Sequence, residues 1–117
     1  MRRLVLLTND GNKFESLVQG LTAKADLSVD LISSVSEAQE RLTRAAPDLM
    51  IVDETVDGLS NIEIARRMIM ANAMVNLILV SALAAEDFHD KAEGLGILAQ
   101  LPSHPDEKDA SRLMEVM

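Results

Sequence analysis

Leu49-Met50-Ile51-Val52-Asp53-Glu54-Thr55-Val56-Asp57-Gly58 decides how this chain is read. Four apolar residues without helical spacing run into a lone aspartate, and a polar loop closing on glycine follows. A continuously apolar run of this length predicts a strand covered on both faces, which is the habit of parallel sheets. Asp53 then stands at the strand's carboxyl end. Two readings follow: a reactive carboxylate at the mouth of a site, or the solvated polar end of a buried strand.

The flanking sequence supports a parallel sheet. Residues 4–7 form a second apolar run, bounded by Thr8-Asn9-Asp10-Gly11. Residues 77–80 form another, closing on Ser81, and residues 96–101 a weaker one, stopped by Pro102. Residues 27–32 alternate more, as expected of an edge strand. Helical spacing fills the intervals. Phe14, Leu17, Val18 and Leu21 give an amphipathic helix over 12–24, weakened by Gly20. Ser34 with Glu37, and Ser60 with Glu63, are capping-box pairs opening helices over about 36–46 and from Ser60 to about residue 73. A short helix over 85–93 and a last one over 106–117 complete the pattern. Five strands alternating with five helices predict a doubly wound parallel five-stranded sheet in a three-layer α/β/α, flavodoxin-like (βα)5 domain spanning residues 1–117. Functional residues in such sheets lie at the carboxyl ends of strands. That directs attention to Thr8, Asn9 and Asp10, to 53–58, to Ser81 and Ala82, and to Leu101 and Pro102.

Composition narrows the function. The chain has 117 residues and a net charge of −8, with its arginines in scattered pairs and no basic stripe. Nucleic acid and anionic membranes are therefore not expected partners. With no Cys, there is no disulfide, thiol nucleophile or Cys-held metal. His89 and His104 lack ligand spacing and read as exposed polar residues. No apolar run is long enough for a signal peptide or membrane span, so a cytoplasmic location is expected. Phe14 and Phe88 are the only aromatic residues, and there is no phosphate loop, which leaves a small-cofactor-binding flavodoxin-like domain without support. The methionines read mainly as core filler, with Met70, Met74, Met114 and Met117 open to a docking role.

The strand-end residues resemble the receiver domain of two-component response regulators. PDLMIVDETVDGLSNIEIARRM is similar to that family's third strand, loop and third helix, with Asp53 at the phosphoacceptor position. Ser81-Ala82 looks like its Ser/Thr-Ala pair, and Pro102 like the proline after its fifth strand. The resemblance implies a phosphoryl transfer to Asp53, with Ser81 as the switch hydroxyl. Magnesium would be held by Asp10, Asp53 and the Thr55 backbone carbonyl. It also implies departures. Thr8 and Asn9 fall on the family's acidic pair, Leu101 on its phosphate-pairing lysine, and Leu98 on its strand-five aromatic. Lys91 and Lys108, in the flanking helices, are the lysines nearest to Leu101 in sequence. Asp10 reads either as a slipped magnesium ligand or as an Asx-turn or N-cap of the first helix. Glu54 and Asp57 read either as cation recruiters or as a solvated acidic loop.

The expectation is therefore a receiver-like signalling domain with a degenerate site. It would work through protein–protein contacts on its fourth and fifth helices, without phosphorylation, and without a cofactor or with weakly held Mg2+. Its partner would be a histidine kinase or output protein, or a second copy in a homodimer. The alternative is a working phosphoacceptor of a phosphorelay, modified on Asp53 with Mg2+.

Overall fold

The computed structural model describes residues 2–116. Its main sheet is formed by β1 (Arg2–Leu7), β2 (Leu27–Ile32), β3 (Leu49–Val52), β6 (Leu77–Val80) and β7 (Ala99–Leu101), in the order β2-β1-β3-β6-β7. Every pairing is parallel. The helices are α1 (Glu15–Lys24), α2 (Val35–Arg44), α3 (Asn61–Ala71), α4 (Ala85–Ala92) and α5 (Glu107–Val116). A 3-10 turn, Gly11–Phe14, leads into α1. The predicted α/β/α sandwich is the one that forms. The predicted final position of α5, Met117, lies outside the described residues.

Alternation along the strands sorts the core into two layers. Val5, Leu7, Met50, Val52, Leu77 and Leu79 point to one face, against α2, α3 and α4. Leu4, Leu6, Leu49, Ile51, Ile78 and Val80 point to the other, against α1 and α5. The continuous apolar runs of β3 and β6 are explained by this: all four residues of each are buried. Each such side chain contributes roughly 1.5–3 kcal/mol on burial. Both capping serines act as their spacing predicts. Ser34 Oγ accepts from Glu37 N at 3.3 Å, and Ser60 Oγ from Glu63 N at 3.4 Å.

Two local expectations are corrected. The segment predicted as a strand from Gly96 pairs as strand only over Ala99–Leu101, because Gly94 and Gly96 take positive φ and bend the approach. The loop after β3 is not irregular. Thr55–Val56 (β4) and Leu59–Ser60 (β5) form a small antiparallel hairpin. Its turn places Asp57 at φ 55 and Gly58 at φ 77, the left-handed pair that a two-residue hairpin turn requires. Met70 and Met74, set apart in the sequence from the core methionines, are 88% and 81% exposed.

Candidate functional site

Asp53 follows directly on β3, and its N–H donates to Leu7 O at 3.0 Å, so the sheet itself fixes the residue. It is 5% exposed. A carboxylate so covered needs compensation for lost hydration, and both oxygens have it. Oδ1 accepts from Lys13 Nζ at 2.6 Å and from Glu54 N at 2.7 Å. Oδ2 accepts from the Thr8 hydroxyl at 2.6 Å.

Lys13 is the residue that sequence reasoning missed. It lies forty positions before Asp53, on the 3-10 turn after β1. Phe14, fully buried next to it, anchors that turn against the sheet. The ammonium thereby reaches over the strand ends, where it also lies 3.7 Å from Glu54 Oε1 and 5.6 Å from the Phe14 ring centroid. The only signal was a lysine two residues after the predicted loop, at the start of the predicted first helix. A search near Leu101 for a substitute cation looks beside β7, whereas Lys13 follows β1.

The positions expected to hold acidic ligands serve other ends. Thr8 is buried, and its hydroxyl relays a bond: Asp10 N donates to Thr8 Oγ1 at 2.9 Å while that hydroxyl donates to Asp53. Asp10 therefore does not cap the first helix. Its backbone, not its carboxylate, closes the turn, and no side-chain cap bond forms at the 3-10 turn. The Asp10 carboxylate is exposed. Asn9 accepts from Asp57 N at 2.9 Å through Oδ1 and donates to Ser33 O at 2.8 Å through Nδ2. Asp57 Oδ2 in turn accepts from Val35 N at 2.8 Å, at the start of α2. The acidic loop residue Asp57 is thus a tie between the hairpin, the β1 loop and α2.

On the other side of Asp53, Ser81 Oγ accepts from Leu83 N at 3.1 Å, closing its own loop. Gln100 Nε2 donates to Leu83 O at 2.8 Å and Ser81 O at 3.3 Å, holding the same loop to β7. Leu101 is fully buried among Ile78, Val80, Ala110 and Leu113. Leu98 is 42% exposed, on the outer side of the β7 approach. Asn61, at the start of α3, is a second residue missed in the sequence: it donates to Val80 O at 2.6 Å and ties the helix to the end of β6. Thr55, whose backbone carbonyl was the third expected magnesium ligand, is exposed in β4. His89 and His104 are exposed. Among the described residues, no three His, Cys, Asp or Glu side chains gather to hold a metal ion.

The same architecture recurs in solved structures. The chemotaxis response regulator CheY4 of Vibrio cholerae superposes with a TM-score of 0.81 at 14% identity, over 100% of this chain and 99% of that one. This chain has the receiver fold. A LuxR-family two-component response regulator from Aurantimonas sp. gives a TM-score of 0.80 at 17% identity, covering 98% and 83% of the two chains. A CheY-like receiver domain protein from Methanospirillum hungatei gives 0.79 at 14%, covering 98% and 91%. No family model matches the chain. No curated protein matches it either. Within the receiver fold, Asp53 holds the carboxyl end of the central strand, and among the described residues no helix is long and apolar enough to cross a membrane.

Proposed function

We propose that this receiver-fold chain is a signal transduction domain that works through protein–protein contacts and does not depend on phosphorylation of Asp53. The observation that supports this is the Lys13–Asp53 ion pair at 2.6 Å. Phosphoryl transfer to a carboxylate needs a free oxygen nucleophile and cations that offset the charge of the donor. Here one carboxylate oxygen is held by an ammonium and a backbone N–H, and the other by a hydroxyl. Lys13 covers Oδ1, so a donor would have to approach Oδ2, where the Thr8 hydroxyl lies.

Magnesium fits this residue set poorly. The ion requires near-octahedral oxygen ligands. The acidic pair is replaced by Thr8 and Asn9, both committed to structural bonds, and a tethered cation already lies on the Asp53 oxygen. Beyond Asp53, the buried Leu101 supplies core packing where a lysine would supply charge. The switch in such a fold needs two loop states with different contacts to the phosphoryl group. The Ser81 hydroxyl oxygen accepts from Leu83 N within its own loop. The contact surface is the α4–β7–α5 side, where Leu83, Leu98 and Val116 are exposed apolar residues, and a signalling protein or a second copy is its partner.

Beryllofluoride with magnesium, a mimic of phosphorylated aspartate, tests this by NMR titration. The expected result is no saturable shift around Asp53 and Ser81. Saturable shifts there at sub-millimolar concentration, with a gain of one phosphoryl mass from acetyl phosphate that Asp53→Asn abolishes, would establish the working phosphoacceptor instead.

A further inference from the structure

The fold gathers three arginines that are dispersed in sequence. Arg3 stands near the start of β1, and Arg41 and Arg44 in the last turn of α2. With Ala45, Ala46 and Pro47 they line a cavity of about 380 Å³ at the amino-terminal edge of the sheet, the end opposite Asp53. We propose that this cavity binds a phosphate monoester.

Each arginine must first be weighed against its local carboxylates. Arg41 is paired with Asp30, which fixes its guanidinium at the cavity wall. Arg44 has only Glu40, at 3.9 Å, and both side chains are about 70% exposed (70% and 72%), so solvent screens that contact strongly. Asp48 is near Arg3, but its carboxylate accepts from the Arg3 backbone N–H at 2.7 Å. Among the described residues, the Arg3 guanidinium forms no ion pair. Placing Arg41 and Arg44 at a helix C-terminus is ordinary compensation of the helix dipole. Arg3 comes from a different element, and that explanation does not cover it.

The chemistry of the walls selects the ligand class. Guanidinium forks match the oxygens of phosphate two at a time. The forks of Arg3 and Arg44, beside an Arg41 held by Asp30, suit a phosphate dianion better than a carboxylate with two oxygens and one charge. The half-buried Ala46 and the buried Pro47 give the cavity an apolar back, while its arginine side stays open to solvent. The net charge of −8 repels anions at long range, so binding here rests on these short contacts and not on a general basic field.

A phosphate monoester reaches such a cavity either as a free small molecule or as a phosphoserine of a partner. Isotope-labelled protein titrated by NMR with glycerol phosphate, and separately with a short phosphoserine peptide, distinguishes the two. Sodium chloride at matched ionic strength and the unphosphorylated peptide are the controls. The expected result is saturable shifts at the amides of Arg3, Ala45 and Ala46 and at the arginine Nε–H groups. Arg3→Gln and Arg44→Gln, both at exposed side chains, should each weaken binding about tenfold, the loss of one charged hydrogen-bond set. Equal affinity for both probes indicates a free small molecule, and preference for the peptide indicates a phosphorylated partner. Shifts that rise without saturation, that sodium chloride reproduces, or that survive in both variants would overturn the proposal.

Discussion

Asp53 and Lys13 are unequal partners, and the inequality is measurable. Removing Lys13 leaves a carboxylate whose side chain is 7% exposed without its cation, while Thr8 and Glu54 N remain. Breaking a buried pair from that side costs on the order of 3 kcal/mol. In Asp53→Asn the amide oxygen still accepts one of those bonds. Lys13, 17% exposed, can turn towards Glu54 and solvent. That variant should lose about 1 kcal/mol, the scale of one hydrogen bond. Urea unfolding midpoints of Lys13→Ala and Asp53→Asn should therefore fall in that order, and the reverse order would show that Lys13 is not what compensates the buried charge. The sequence made Asp53 legible because a strand-end aspartate has a local signature. Lys13 had none. Its role depends on how a 3-10 turn, set by the burial of Phe14, aims a flexible side chain across the strand ends.

At the scale of elements, most boundaries were readable because the central strands β3 and β6 are continuous apolar runs and each capping serine sits three residues before a glutamate. What failed to read was close approach. Gly20 is a weak point in α1 by helix propensity alone, yet it is buried where α1 meets α5. A Cβ there would lie 3.0 Å from Ala110 Cβ and 3.2 Å from Glu107 Cα, the second of these backbone. The glycine lets the two helices pack together over Leu4, Leu6 and Leu113. Replacing it with alanine gains roughly 1 kcal/mol of helix propensity but must push α5 outwards. Valine forces the displacement, with an overpacking cost of about 1–3 kcal/mol. Gly20→Val should lower the unfolding free energy by that amount and speed amide exchange across Glu107–Val116 more than across α2. Uniform exchange rates in both helices would mean that the contact is not what seats α5. The β4–β5 hairpin was unread for a related reason: Val56-Asp57-Gly58 carries the turn residues, but two-residue strands are too short to show a period.

Across the whole molecule, the carboxyl edge of the sheet is tied at several places, among them the Asn61 bond to Val80 O. Thr8 and Lys13 hold Asp53, Asn9 and Asp57 hold the hairpin to α2, and Gln100 holds the Ser81–Leu83 loop to β7. Every tie joins residues distant in sequence or in different elements, which is why the fold was legible and the state of its rim was not. Loops that switch are drawn from the least stable parts of a structure, with few anchoring bonds. This rim has the opposite character, as a domain that presents one fixed surface would need. The Gln100 tie gives the clearest test, since its side-chain amide serves two carbonyls of the loop and is only partly buried. Gln100→Ala should leave the global unfolding midpoint within about 1 kcal/mol, the worth of a partly exposed hydrogen bond. It should also raise amide exchange selectively from Ser81 to Ala84. Relaxation dispersion on the unmodified chain should be flat across the same residues. If the unmodified loop already exchanges on the microsecond-to-millisecond scale, the rim is bistable, and the case for a fixed contact surface fails with it.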